Sequence, residues 1–176
     1  MNSVQQTPED VITFWFQEIT PKQWWATSDD LDWEIESRFG ALHYAARHCE
    51  LYGWRESAKG RLAEIIVLDQ FSRNIYRNHL NAFAYDNLAL ALAQTAVDAN
   101  ADHELDINQR AFFYMPYMHS ESLMIHEVAV ALFNQPGMKQ TYSSSFGTRK
   151  SSTVSVVIRT AMQFSVVRQH RKRSIF

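Results

Sequence analysis

Between Ser57 and Arg77 the apolar residues Leu62, Ile65, Ile66, Leu68, Phe71 and Ile75 recur at helical steps and cover more than half of the circumference. A helix apolar over so much of its surface must be surrounded by other elements. The spacing therefore predicts a central helix starting near Ser57, with the remaining chain packed around it. The same period runs through the neighbouring segments. Thr7-Pro8-Glu9-Asp10 reads as a helix start, with a hydroxyl N-cap, Pro at the first position and acids over the positive end. Val11, Phe14 and Trp15 then share a face. Pro21 forbids a continuous helix, so Trp24 and Trp25 fall in a connection. Ser28-Asp29-Asp30 caps a second helix with the stripe Leu31, Ile35, Phe39, Leu42 and Ala46. A fourth helix is predicted over Phe83, Leu88, Leu90, Leu92 and Val97. A fifth begins near Asp106 and ends before Pro116, because Pro disfavours helix at the residue before it. A sixth begins at Ser120, carries Leu123, Met124, Val128 and Leu132, and stops at Asn134-Gln135-Pro136-Gly137.

Strand signals are almost absent from residues 1–137, and the short connections predict an all-α stack of antiparallel helical hairpins. No period of about 34 residues marks a strict repeat. A length of 176 residues suits one domain with a real core, and 46% hydrophobic with 13% aromatic residues excludes disorder of the body. The single cysteine, Cys49, excludes an intramolecular disulfide and a Cys-based zinc site, and is expected to be buried or half-buried. No basic start followed by an apolar run marks a signal peptide, and no apolar run approaches the ~18 residues of a membrane span. A cytoplasmic protein is expected.

The acidic residues stop at Glu127. From Lys139 to Phe176 the chain carries eight Lys or Arg and no Asp or Glu, whereas all nineteen acids precede it. A net charge of −2 hides this division. Pattern changes with charge, from helical to Ser/Thr/Val/Arg-rich, which divides the chain into a helical domain, 1–137, and a basic tail, 138–176. Arg168 to Arg173 has the composition of a nucleic-acid or anionic-membrane patch, and Val154 to Ile158 is a β-prone apolar run.

Polar residues interrupt the central helix. Asp69 and Arg73 are four apart and share a face in the favourable acid-to-base order. Gln70 and Asn74 form a second row, and Arg77 extends the first. Polar groups on a mostly buried helix need partners or a wet cavity. One reading is an internal network that fixes packing. The other is a pocket for an anionic or amide-bearing ligand, which suits the planar fork of arginine. His119-Ser120-Glu121 sits at a predicted helix start, where Ser120 as N-cap and Glu121 in the first turn have a structural explanation. His119 can be a hydrogen-bond partner or an acid–base group. His119, Glu121, His126 and Glu127 lack a two-ligand helical spacing, so no metal is assigned. Trp15, Phe16, Trp24, Trp25, Trp33 and Trp54 read as core. No Gly-rich phosphate loop, nucleophile elbow or activated cysteine is present.

Three segments, Val11-Ile12-Thr13-Phe14-Trp15-Phe16, Leu68-Asp69-Gln70-Phe71-Ser72-Arg73-Asn74-Ile75-Tyr76-Arg77 and Tyr114-Met115-Pro116-Tyr117-Met118-His119-Ser120-Glu121, together resemble the bacterial domain-of-unknown-function family 924. The resemblance runs from about Pro8 to Phe133, with Asp86 in a matching Phe-x-x-Asp context. It implies a helical fold similar to tetratricopeptide folds, and no defined activity. The family pattern closes with a segment like Arg-Phe-Gly-Arg-x-Pro-His-Arg-Asn, which is absent here as written. Reading the third base of each codon with the first two of the next turns Thr153 to Met162 into Asp-Arg-Phe-Gly-Arg-Tyr-Pro-His-Arg-Asn, with permitted wobble bases. Gln163 to Val167 continues as Ala-Ile-Leu-Gly-Arg. The residues after about Met138 to Ser143 therefore read as out of frame, and the basic tail has no designed nucleic-acid or membrane partner.

The resulting expectation is a binding module. Its groove would be lined by Asp69, Gln70, Arg73, Asn74, Arg77, Asp86, His119 and Glu121 and would take a small anionic molecule or a peptide end. The alternatives are an enzyme, with His119 as acid or base, Glu121 or Asp69 orienting it and Arg73 stabilising negative charge, and an assembly protein in which the same residues are packing networks. Arg73, His119 and Glu121 are expected to meet in space. No cofactor is implied.

Overall fold

A computed structural model describes residues 6–138; the expectations placed on the basic tail lie outside them. The described chain is all-α, without a strand among those residues. No helix among them is long and apolar enough to cross a membrane.

Helix α1 spans Pro8–Thr13. The Thr7 hydroxyl accepts from the Asp10 backbone N–H at 3.4 Å, and the Asp10 carboxylate accepts from the Thr7 N–H at 2.7 Å, a reciprocal cap that satisfies otherwise orphaned donors. The helix widens into a π-helical turn, Phe14–Glu18. Val11, Ile12, Phe14 and Trp15 are buried. Helix α2, Asp29–Arg47, starts at Ser28, whose hydroxyl accepts from the Leu31 N–H at 3.3 Å. All five residues of its predicted stripe are buried, and His43 joins them.

The central helix begins with α3, Ala58–Ile66, capped by Ser57 through the Gly60 N–H at 3.1 Å. It passes through a π-helical turn, Val67–Phe71, into α4, Ser72–Ile75. Every residue from Leu62 to Ser72 is buried, as its apolar circumference predicts. It packs against α1, α2 and α5, Asp86–Asp98. Phe14, Phe39 and Phe71 form a cluster with centroids 4.9–6.0 Å apart, Phe14 meeting Phe71 edge to face. Burial of such rings is a large part of core stabilisation, with roughly 0.5–1.5 kcal/mol per pair beyond area alone.

Phe112 anchors a second aromatic group. Trp15, Phe16, Trp24 and Trp25 surround its ring at 5.0–6.0 Å. The Trp24 indole N–H also donates to the Trp15 carbonyl at 2.7 Å. These contacts hold the connection around Pro21, where only a short 3-10 turn, Gln23–Trp25, forms.

Several expectations need correction. Helix α6, Ile107–His119, does not end before Pro116 but runs through it. Residues 111–118 are all buried, and that burial outweighs the one hydrogen bond that Pro116 removes. The next helix, α7, is Leu123–Phe133 and follows Ser122, so Ser120 is not its cap; the Ser120 hydroxyl instead accepts from the Ser122 N–H at 3.2 Å. Phe83 lies outside α5, in a 3-10 turn with 61% exposure, and the buried row of α5 is Ala89, Ala93 and Ala96. Small residues there allow close approach to α3. Trp33 is 71% exposed rather than core. Cys49 is exposed, because it lies in the turn that ends α2.

By packing, residues up to Pro116 form one compact unit and the chain from Tyr117 belongs to a second, so the division falls inside α6.

Candidate functional site

The π-helical turn sets where the polar residues of the central helix point. Upstream of it, the one buried acid is Glu64, which the guanidinium of Arg55 holds with two bonds of 2.7 Å. At and beyond the turn, the polar residues separate into two groups that face different neighbours.

The first group is Asp69, Gln70, Arg73 and Asp86. Arg73 and Asp69 form the predicted i, i+4 pair, Nη1 to Oδ1 at 3.4 Å, with the Asp69 side chain 1% exposed. The stronger bonds of Arg73 go elsewhere. It donates to the Asp69 backbone carbonyl at 2.6 Å and to both oxygens of Asp86 at 3.0 and 2.9 Å. The Gln70 amide donates to the other Asp69 oxygen. The Arg73 guanidinium also lies 5.4 Å from the Phe83 ring centre. Burial works against its charge, but Asp69 and Asp86 more than offset this and raise its pKa. The group is a closed, mutually bonded network.

The second group is Asn74, Arg77 and Asp32. Asp32, in the first turn of α2, accepts from Asn74 at 2.7 Å and from both Nε and Nη2 of Arg77, the latter at 2.6 Å. Asp32 foremost raises the Arg77 pKa. Here the side chains converge on a cleft of about 320 Å³ lined also by Asp29, Trp33, Glu36 and Asn78. Gln70 and Asn74, read from the sequence as one row, bond to different acids.

His119 is the last residue of α6 and is half-buried; Glu121 is exposed in the short connection before α7. Both belong to the second unit, whereas Arg73 belongs to the first.

Sequence reasoning missed Asp32, because an acid in the first turn of a helix already has an explanation in the helix dipole. It also missed a buried His43–Ser72 pair, Nε2 to Oγ at 2.7 Å. The Ser72 hydroxyl gives its proton to the Leu68 carbonyl at 2.6 Å. The serine oxygen therefore accepts, and His43 donates from Nε2 as a neutral ring. Burial, then the nearby Arg47 charge, lowers the His43 pKa to about 4. Two neighbouring residues at the helical spacing of α2, Phe39 and His43, gave the only signal: a polar side chain one turn along a buried stripe.

Fold and site together define an all-α protein built around a buried helix whose polar side chains are matched by carboxylates. The chain belongs to the family described as bacterial protein of unknown function (DUF924), whose pattern matches residues 11–173. It is similar to a solved protein of unknown function from Agrobacterium tumefaciens, ATU0120, with 30% identity, a TM-score of 0.71, and coverage of 78% of this chain and 80% of that one. No curated protein matches it.

Proposed function

We propose that the helical body is a binding module whose ligand enters the cleft between α2 and α4. The observation that carries this reading is the convergence of Asp32, Asn74 and Arg77 on an open polar space bordered by the exposed indole of Trp33. Its volume of about 320 Å³ suits a side chain or a small polar group. Arg77 is already neutralised by Asp32. An incoming anion meets Asp29 and Glu36, whereas a cation or an N–H donor meets carboxylate acceptors and an aromatic face. Of the two ligand classes read from the sequence, the lining therefore favours a peptide over a small anion, with a basic or amide side chain in the cleft. In this reading the closed group around Arg73 supports the helix rather than the ligand.

The test is a nuclear magnetic resonance titration of the full chain with two short peptides, one carrying arginine and one carrying glutamate at the same position. The Trp33 indole N–H signal is assigned through Trp33→Phe. A saturable shift with the arginine peptide alone supports the reading. A preference for the glutamate peptide, or no shift with either, overturns it.

We also propose, from the sequence and against the reach of the family match to residue 173, that the residues after about Met138 to Ser143 are read out of frame. The support is the recovery of a complete Arg-Phe-Gly-Arg-Tyr-Pro-His-Arg-Asn segment in the shifted frame across Thr153 to Met162. Sequencing the encoding DNA around codons 136–145 tests it. An inserted or missing base supports the proposal. An uninterrupted frame confirmed in an independent isolate returns the basic segment to the protein.

A further inference from the structure

Arg47 differs from the arginines of the networks above. Arg55, Arg73 and Arg77 each hold a carboxylate, whereas no ion pair of Arg47 forms among the described residues. Its guanidinium lies 4.4 Å from the centre of the Tyr44 ring, and Nη1 donates to the Tyr85 hydroxyl at 3.4 Å. Nε is buried without a hydrogen-bond partner. His43 sits between the rings of Tyr76 and Tyr85, with each centroid 5.5 Å away. The half-buried guanidinium is thus bordered by phenols and a neutral imidazole, none of which brings negative charge. The hydrogen bond to Tyr85 foremost, working against burial, raises the Arg47 pKa.

The end of α2 would ordinarily oppose an anion through its exposed carbonyls. Here three carbonyls of the last turn have partners. Ala45 accepts from His48 and Glu50, Ala46 accepts from Cys49 at 2.9 Å, and the Tyr44 carbonyl pairs with Nδ1 of His48 at 2.7 Å. Their negative ends are occupied, and the guanidinium fork keeps donors to spare. The Tyr85 hydroxyl, accepting from Arg47 through its oxygen, keeps its own proton to donate.

We propose that Arg47, with the hydroxyl of Tyr85 beside it, forms a binding site for a phosphate-class oxyanion. A planar fork engages two oxygens of such a group, and the phenol donates to a third. A carboxylate offers only two oxygens to the same set of donors. The site is independent of the cleft at Asp32, and its ligand carries the opposite charge.

The experiment uses the full chain, titrated with inorganic phosphate at constant ionic strength and followed by the arginine Nε–H and tyrosine ring resonances. Sodium acetate serves as the carboxylate arm and chloride as the salt control. Saturable binding of phosphate is expected, weakened at least about tenfold by Arg47→Gln and roughly threefold to tenfold by Tyr85→Phe. Arg61→Gln, at a half-buried arginine of α3, is expected to leave it unchanged. If Arg47→Gln fails to fold, Tyr85→Phe decides, because it removes a single oxygen. Equal binding of acetate overturns the phosphate assignment. Non-saturable binding, or binding unaffected by Tyr85→Phe and Arg47→Gln, overturns the site.

Discussion

Arg73 grips Asp86 with both arms of its guanidinium, at 3.0 and 2.9 Å, while the same Nη1 reaches the backbone carbonyl of Asp69 at 2.6 Å. One side chain therefore ties α5 to the central helix and neutralises an acid with 1% exposure. Arg73→Ala leaves Asp69 buried without its cation and is expected to cost on the order of 3 kcal/mol. At this chain length that is a fall in melting temperature of roughly 6–12 °C. An unchanged thermal midpoint would show that the network contributes nothing to stability.

Cys49 adopts a left-handed conformation, φ 60°, where the chain leaves α2. Its N–H bonds to the Ala46 carbonyl at 2.9 Å and that of Glu50 to Ala45 at 3.0 Å, a pairing that normally selects glycine. A side chain in this region costs roughly 1–2 kcal/mol. Cys49→Gly relieves this but gives the unfolded chain more freedom, so a net gain of about 0.5–1 kcal/mol is expected. Cys49→Ala keeps the strain and is expected to give no gain. Urea midpoints of the two variants separate the effects, and a thiol reagent is expected to label wild-type Cys49 without unfolding.

Gly60 lies in the first turn of α3, where helix propensity alone would favour Ala by about 1 kcal/mol. A Cβ there would fall 1.9 Å from the Trp54 carbonyl oxygen. That neighbour is backbone, fixed by the turn Tyr52–Glu56 and by the Arg55–Glu64 ion pair. Gly60→Ala is therefore expected to destabilise by about 1–3 kcal/mol, the opposite sign to propensity. Chemical denaturation gives the sign directly, and a stabilised variant would mean that the Trp54 turn yields freely.

His43 makes stability depend on pH in a defined direction. Its folded pKa is about 4, below the ordinary 6.5. Between those values the unfolded chain holds a proton that the folded chain does not, so stability falls as pH drops through that window. Above about pH 6.5 both states are neutral and the slope vanishes. By about pH 4.5 the loss amounts to roughly 2–3 kcal/mol. His43→Gln keeps a donor for Ser72 but cannot titrate. The difference between wild-type and variant stability is expected to change across pH 4.5–7, and a constant difference would place the His43 pKa near its unfolded value.

The helices and the central position of residues 57–77 were legible because burial writes its period directly into Leu62, Ile65, Ile66, Leu68 and Phe71. Asp69 and Arg73 were legible as a pair because four-residue spacing is local. Asp86 entered only through resemblance, and Asp32 not at all, since their meetings with Arg73 and Arg77 depend on how helices pack. Pro116 misled because a local backbone rule was set against eight consecutive buried residues. Trp33 misled because residue type does not say which side of a helix faces the core.

The π-helical turn Val67–Phe71 accommodates one residue more than an α-helix of the same rise. Side chains beyond it are rotated by about 100° relative to an unbroken α-helix. Upstream, the helix presents Leu62, Ile65 and Ile66 inward; downstream, the phase shift delivers Arg73 to α5 while Asn74 and Arg77 reach α2. The extra residue works as a phase adjuster between two packing environments. Deleting one residue within it would close the turn to α-helical spacing at nearly the same rise and leave every later side chain facing its carboxylate, whereas the same deletion one turn upstream would turn them all away.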